Sequence, residues 1–154
     1  MVRKIVVIGG GLAGLEAARV AAERGHRVTL LERASELGGT ACVVARKPGR
    51  EELVGIPNWL SGQVEKLGVE IRLATEATVE QILSEEPGAV VLATGARDTR
   101  PSEDLGEANV RVATAWSLLD GSVTPGSSVL VVDHTRSDTG CSVAELVADS
   151  GGRA

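Results

Sequence analysis

An apolar run at Ile5–Ile8 opens directly into Gly9-Gly10-Gly11-Leu12-Ala13-Gly14, and good helix formers follow from Leu12 to Arg24. A second apolar run, Val28–Leu31, ends on Glu32. Strand, glycine turn, helix and strand within about thirty residues is the size of a βαβ crossover, which places the two strands parallel in one sheet. Each glycine has its own reason. Gly9 allows the tight turn out of the strand. Gly11 lets a pyrophosphate come close to the backbone. Gly14 lets the helix lie close on the strand. The first helical amides, at Gly11, Leu12, Ala13 and Gly14, then face an anion at the positive end of the helix. Glu32, at the end of the next strand, is suited to a ribose hydroxyl pair. These residues form a candidate site for the ADP portion of a dinucleotide.

Other residues extend the candidate site. Arg33 could contact a 2′-phosphate, but the adjacent Glu32 repels one, so FAD or another unphosphorylated ADP moiety fits better than NADP. Leu37-Gly38-Gly39, with Thr40, follows the second strand at the carboxyl edge of the sheet, where open α/β sheets bind ligands. Ala93-Thr94-Gly95 follows a later apolar run in the same manner. His26 and His134 have no nucleophile or acid spaced to work with them, and both are expected to be structural. No catalytic residue and no metal ligand set is expected.

The pattern elsewhere is α/β throughout. A second helix is expected over Glu51–Leu67, with Leu53, Ile56, Leu60, Val64 and Leu67 as its apolar stripe and a kink or late start near Pro57. Ala34–Arg50 is expected to be irregular, with Gly38, Gly39, Pro48 and Gly49 as breakers. A short strand at Glu70–Leu73 follows, then a helix over Thr78–Ser84 capped by Thr78, and a buried strand at Ala89–Ala93. Arg97–Asn109 is a polar connector. A helical turn is expected at Ala113–Leu119, a strand at Val129–Val132 and a helix at Gly140–Asp149. The predicted architecture is a three-layer Rossmann-like domain with a parallel sheet over 1–100. A connector over 101–127 follows, then the truncated start of a second βαβ unit over 128–154.

Composition narrows the classes. The chain has 154 residues, 43% hydrophobic, enough for one core or slightly more. Trp59 and Trp116 are the only aromatics and the net charge is −5. A basic face for a phosphate backbone and aromatic platforms for bases are both lacking, which argues against nucleic acid. The N-terminal apolar run is too short to span a membrane. Cys42 and Cys141 have neither zinc nor CxxC spacing, and two cysteines cannot hold an iron–sulfur cluster alone. Two thiols in a reducing, cytoplasmic setting are expected.

Four stretches carry a family resemblance: the segment from Lys4 through Ala18, Thr29-Leu-Leu-Glu with Leu37-Gly-Gly, Pro48-Gly-Arg-Glu-Glu, and Val90-Val-Leu-Ala-Thr-Gly-Ala. With Trp116-Ser-Leu-Leu-Asp-Gly they look like the nucleotide-binding region of the 2,4-dienoyl-CoA reductase and trimethylamine dehydrogenase family, NADH:flavin oxidoreductases of the old yellow enzyme type. The resemblance covers nearly the whole chain. It implies an FAD-binding electron-transfer module beside a TIM barrel carrying FMN and a 4Fe-4S cluster, as partner domain or subunit. The alternative is a non-catalytic module that holds ADP. The chain departs from the family's pattern in three places. Thr40 stands where the family has glutamine. Gly55, Pro57 and Gly62 interrupt the second helix. No glycine fingerprint follows Val129–Val132, so poor binding of NADH and NADPH is expected, as is similarity to the amine dehydrogenase branch, whose region carries ADP. An exposed apolar strand edge makes an oligomer possible.

Overall fold

A computed structural model describes residues 1–96, 110–134 and 137–154. The connector read at Arg97–Asn109 lies outside the described residues. The chain forms two compact units: Met1–Cys42 with Glu52–Gly95, and Val43–Glu51 with Ala96–Ala154. Val43–Glu51 therefore belongs with the C-terminal unit, although the sequence division assigns it to the first.

The first unit is an α/β domain of the Rossmann type. Its strands β1 (Lys4–Ile8), β2 (Arg27–Leu31), β3 (Glu70–Arg72) and β4 (Ala89–Leu92) are all parallel, in the order β3-β2-β1-β4. The central β1 pairs Val7 with Leu30 on one side and Val91 on the other. Side chains alternate across a sheet. One face therefore carries Val7, Val28 and Leu30, which pack with Leu15 and Ala18 of α1 (Leu12–Glu23) and with Leu60, Val64 and Val69. The other face carries Lys4, Val6 and Arg72. Glu85, just past α4 (Val79–Ser84), reaches this second face, where it takes both Lys4 and Arg72 at 2.6 Å. α4 starts as expected: Thr78 accepts from Gln81 N, and Gln81 reciprocates to Thr78 N in a capping box. His26 Nδ1 accepts from the Arg3 amide at 3.2 Å.

Several expectations are corrected. β4 is not buried. It lies at the sheet edge, and its outer-face residues Val90 and Leu92 are 42% and 75% exposed. Ala34–Arg50 is not wholly irregular, because Thr40–Val44 forms α2, which its β-branched residues disguise. The second helix does begin late, as expected near Pro57: α3 covers Gly55–Lys66 after a 3₁₀ turn at Glu51–Val54. Pro57 falls in its first turn, where an amide has no intrahelical acceptor. The buried stripe is Pro57, Leu60 and Val64, while Ile56 and Leu67 are exposed. Trp59 is also exposed, with the Arg19 guanidinium 5.9 Å from its ring centre.

The second unit holds α5 (Ala115–Leu119), capped by Thr114, and α6 (Thr139–Asp149), with Leu119, Val143 and Val147 buried. Val129–Val132 is not a strand. Its pairing is one parallel bridge, Ser128 to Arg153, closed by Val129 N to Arg153 O at 2.8 Å and Arg153 N to Ser127 O at 3.0 Å. A single bridge is too short to make a ladder, and Leu130 and Val132 stay exposed. The backbone that follows α6 nonetheless returns parallel to the backbone that precedes it. Among the described residues no helix is long and apolar enough to cross a membrane. Neither cysteine is in a disulfide.

Candidate functional site

The glycine turn is built on the carboxyl ends of β1, β2 and β4. Gly9 takes φ +104°, a value that favours glycine, and donates its amide to Leu31 O at 2.8 Å. A Cβ there would lie 2.3 Å from Ala93 O, and one at Gly14 would lie 1.8 Å from Gly9 O. Ala93 is tied in by its amide, which donates to Ile8 O at 2.8 Å. These close approaches press the start of α1 against the sheet. They are required by the fold whether or not a ligand is present.

Gly11 differs. Its φ of −74° and ψ of −178° are open to any residue, and no atom lies within 4 Å of where its Cβ would stand. The fold has no need of glycine at this position. A ligand approaching the backbone does. Gly11 also caps α1 with no side-chain acceptor, and Leu12 and Ala13 in the first turn are exposed. The positive end of the helix is therefore presented to solvent, ready for an anion.

Glu32 is anchored by two backbone donors. Its Oε2 accepts from Gly10 N at 2.5 Å and its Oε1 from Ala34 N at 2.7 Å. Each carboxylate oxygen has a second lone pair, so a ribose hydroxyl pair can still be accepted. The loop after β2 docks on the turn as well. Gly38 N donates to Gly10 O at 2.8 Å, Gly11 and Gly38 form a parallel bridge, and a Cβ on Gly39, at φ +54°, would meet Gly11 Cα at 3.2 Å.

The structure thus brings together Gly9, Gly11, Gly14, Glu32, Gly39 and Ala93, with Leu12 and Ala13 in the adjoining helical turn. Arg33, Thr40, Thr94 and Gly95 are exposed beside these residues in the chain. Gly10 stands at a position the glycine pattern leaves free, yet a Cβ there would meet Leu37 Cδ2 at 2.6 Å and Glu32 Cβ at 3.2 Å. The spacing rule could not single it out, because its constraint comes from Glu32 and Leu37, distant in sequence.

Comparison with known proteins agrees with this geometry. Residues 3–132 match the family described as pyridine nucleotide-disulphide oxidoreductase. The chain is 42% identical over 151 residues to a probable N-methylproline demethylase of Rhizobium meliloti (strain 1021), covering 98% of this chain and 22% of that protein. It is likewise 42% identical over 154 residues to the N,N-dimethylglycine/sarcosine dehydrogenase of Chromohalobacter salexigens, covering 97% of this chain and 22% of that protein. Among solved structures, a 2-naphthoyl-CoA reductase superposes with TM-score 0.88 at 33% identity, over 99% of this chain and 23% of that one. The chain therefore spans about a fifth of the length of the relatives it matches. It belongs to the pyridine nucleotide-disulphide oxidoreductase family, as the FAD/NAD(P)-binding region of flavin oxidoreductases of the trimethylamine dehydrogenase and old yellow enzyme type.

Proposed function

We propose that the first unit binds the ADP portion of FAD and serves electron transfer with a catalytic flavin and iron–sulfur barrel, carried on a partner domain or subunit. The observation that carries this reading is the open backbone at Gly11, beside an uncapped helix start and an acid at the end of β2. Gly9, Gly11, Leu12, Ala13 and Gly14 would take the pyrophosphate, and Glu32 the ribose. Gly39, with Arg33, Thr40, Ala93, Thr94 and Gly95, would border the rest of the cofactor. FAD, when bound, supplies the redox chemistry. The chain's own residues bind and orient its ADP end, and none of them is assigned to proton transfer.

A second reading is that the site holds ADP without a flavin. It is favoured by the absence of a glycine fingerprint between Asp133 and Gly140, the feature in which the chain resembles amine dehydrogenases. The visible spectrum of the purified chain, with calorimetric titration of FAD and ADP, separates the two. A yellow protein that binds FAD more tightly than ADP supports the electron-transfer module. A colourless one that binds both equally supports the ADP module. Failure to bind either removes the nucleotide assignment. Assays with amines, enones and artificial acceptors are expected to give no turnover by the chain alone.

A further inference from the structure

Among the described residues, two that are not glycine take a left-handed backbone: Ala74 and Glu86, each at φ +48°. Glu86 has an ordinary reason. It follows the C-cap of α4, where a left-handed residue closes the last turn, and its amide donates to Leu83 O at 3.0 Å. Ala74 ends no helix. It lies two residues past β3 and is exposed, so side-chain packing does not set its backbone. A left-handed residue other than glycine persists where its surroundings fix it, and such residues gather at ligand sites. Here the surroundings are the loop that carries Glu32. The Glu32 amide donates to Arg72 O at 2.9 Å, continuing the pairing of β2 with β3. The chain then reverses. The Ala74 amide donates to Ala34 O at 2.8 Å, and the Thr75 amide, one residue later, donates back to Glu32 O at 2.8 Å. Successive residues that meet partners in falling order need a sharp turn, and Ala74 makes it. The Thr75 hydroxyl closes that turn on Leu73 O at 2.9 Å.

We infer that Ala74 is a positioning residue for Glu32, and that through Glu32 it sets the preference of the site for a nucleotide with an intact ribose. This rests on the reading above, in which Glu32 takes the ribose hydroxyls. The carboxylate is held at Oε1 by the Ala34 amide and at Oε2 by the Gly10 amide. Ala34 is held in turn at its carbonyl by Ala74. The brace thus runs from Ala74 through Ala34 to the carboxylate, while Thr75 fixes the backbone of Glu32 itself. A carboxylate fixed before the ligand arrives discriminates more sharply than a mobile one, because its hydrogen bonds cost less ordering on binding.

The test titrates the whole chain by calorimetry with ADP and with 2′-deoxy-ADP, which lacks one of the two ribose hydroxyls. The native chain is expected to prefer ADP by about tenfold. Ala74→Val sets a β-branched residue where φ is positive, and is expected to bring that preference within about twofold. Ala74→Gly, free to take the left-handed backbone, is expected to keep it. Amide exchange at Ala34 in the nucleotide-free chain gives a readout apart from binding: about tenfold faster in Ala74→Val and unchanged in Ala74→Gly. A full ADP preference in Ala74→Val, or native exchange at Ala34, overturns the inference. If Ala74→Val does not fold, Thr75→Val, which removes only the hydroxyl bond to Leu73 O, takes its place. A lower preference with faster exchange then supports the inference, and native values of both overturn it. A native chain that binds neither nucleotide, or both alike, fails the functional reading instead, and exchange at Ala34 still decides whether Ala74 positions the loop of Glu32.

Discussion

Gly11 offers a clean separation of folding from binding. At φ −74° and ψ −178°, with no atom within 4 Å of where a methyl would stand, Gly11→Ala introduces neither strain nor overlap. Two small effects on stability oppose each other. Losing a glycine from the unfolded ensemble stabilises by about 0.4–1 kcal/mol. Alanine is a poorer N-cap than glycine by a similar amount. The net is within about 0.5 kcal/mol, or about 2 °C in the melting midpoint for a chain of this size. On the proposed site, the new methyl stands where the pyrophosphate would meet the backbone. ADP and FAD affinity should therefore fall more than tenfold, which is more than about 1.4 kcal/mol. Gly11→Val should lose more. Gly14→Ala is the contrasting case: its Cβ would sit 1.8 Å from Gly9 O, so the start of α1 must move and stability falls by about 1–3 kcal/mol. Thermal melts and calorimetric titrations of the three variants check the pattern. A Gly11→Ala chain that binds ADP within twofold of the native chain would refute the pyrophosphate assignment.

Glu32→Ala should weaken ADP binding by about 1.5–3 kcal/mol, the loss of hydrogen bonds to a charged acceptor. It should also speed amide exchange at Gly10 and Ala34, which the carboxylate now holds; unchanged affinity would remove Glu32 from the site. Thr78→Ala should cost about 1 kcal/mol by removing the cap of α4, seen as lost protection of the Gln81 amide. Glu85 lies between Lys4 and Arg72, and the hydrogen bond from Lys4, then that from Arg72, holds its carboxyl below the ordinary value of 4.5. Because the folded value is the lower one, the stability this group adds is present above the ordinary value and lost as pH falls through the folded one. Glu85→Gln should thus melt lower than the native chain at about pH 7, and the gap should close as pH falls below the ordinary carboxylate value in a melting series.

The parallel strands, α1 and the cap at Thr78 are legible because their signals are local: an apolar run, a glycine turn, a threonine three residues before a glutamine. The strand at Val129–Val132 misleads because its apolar run is as strong as that of β1, while a strand also needs a ladder, and here one bridge forms. β4 misleads in a related way. Its composition is that of a buried strand, but burial depends on its place at the edge of the sheet. In the candidate site the glycines and Glu32 are visible through spacing. The tie from Glu32 to Gly10 is not, because a side chain accepting from a backbone amide leaves no periodic trace. Lys47 is invisible for the same reason. Nothing in Arg46-Lys47-Pro48 distinguishes a buried cation from a solvated one until Asp138 is brought to it.

The close packing of Gly9 and Gly14 against the sheet also bears on the time course of nucleotide capture. The turn is held by backbone contacts to Leu31, Ala93 and its own helix. If the turn takes a pyrophosphate as proposed, the amides that would face it are set by the fold itself, and little rearrangement on binding is expected. Capture would then be limited by encounter and orientation, and differences in affinity among related nucleotides are expected to fall mainly on how slowly each departs, which stopped-flow titration can check.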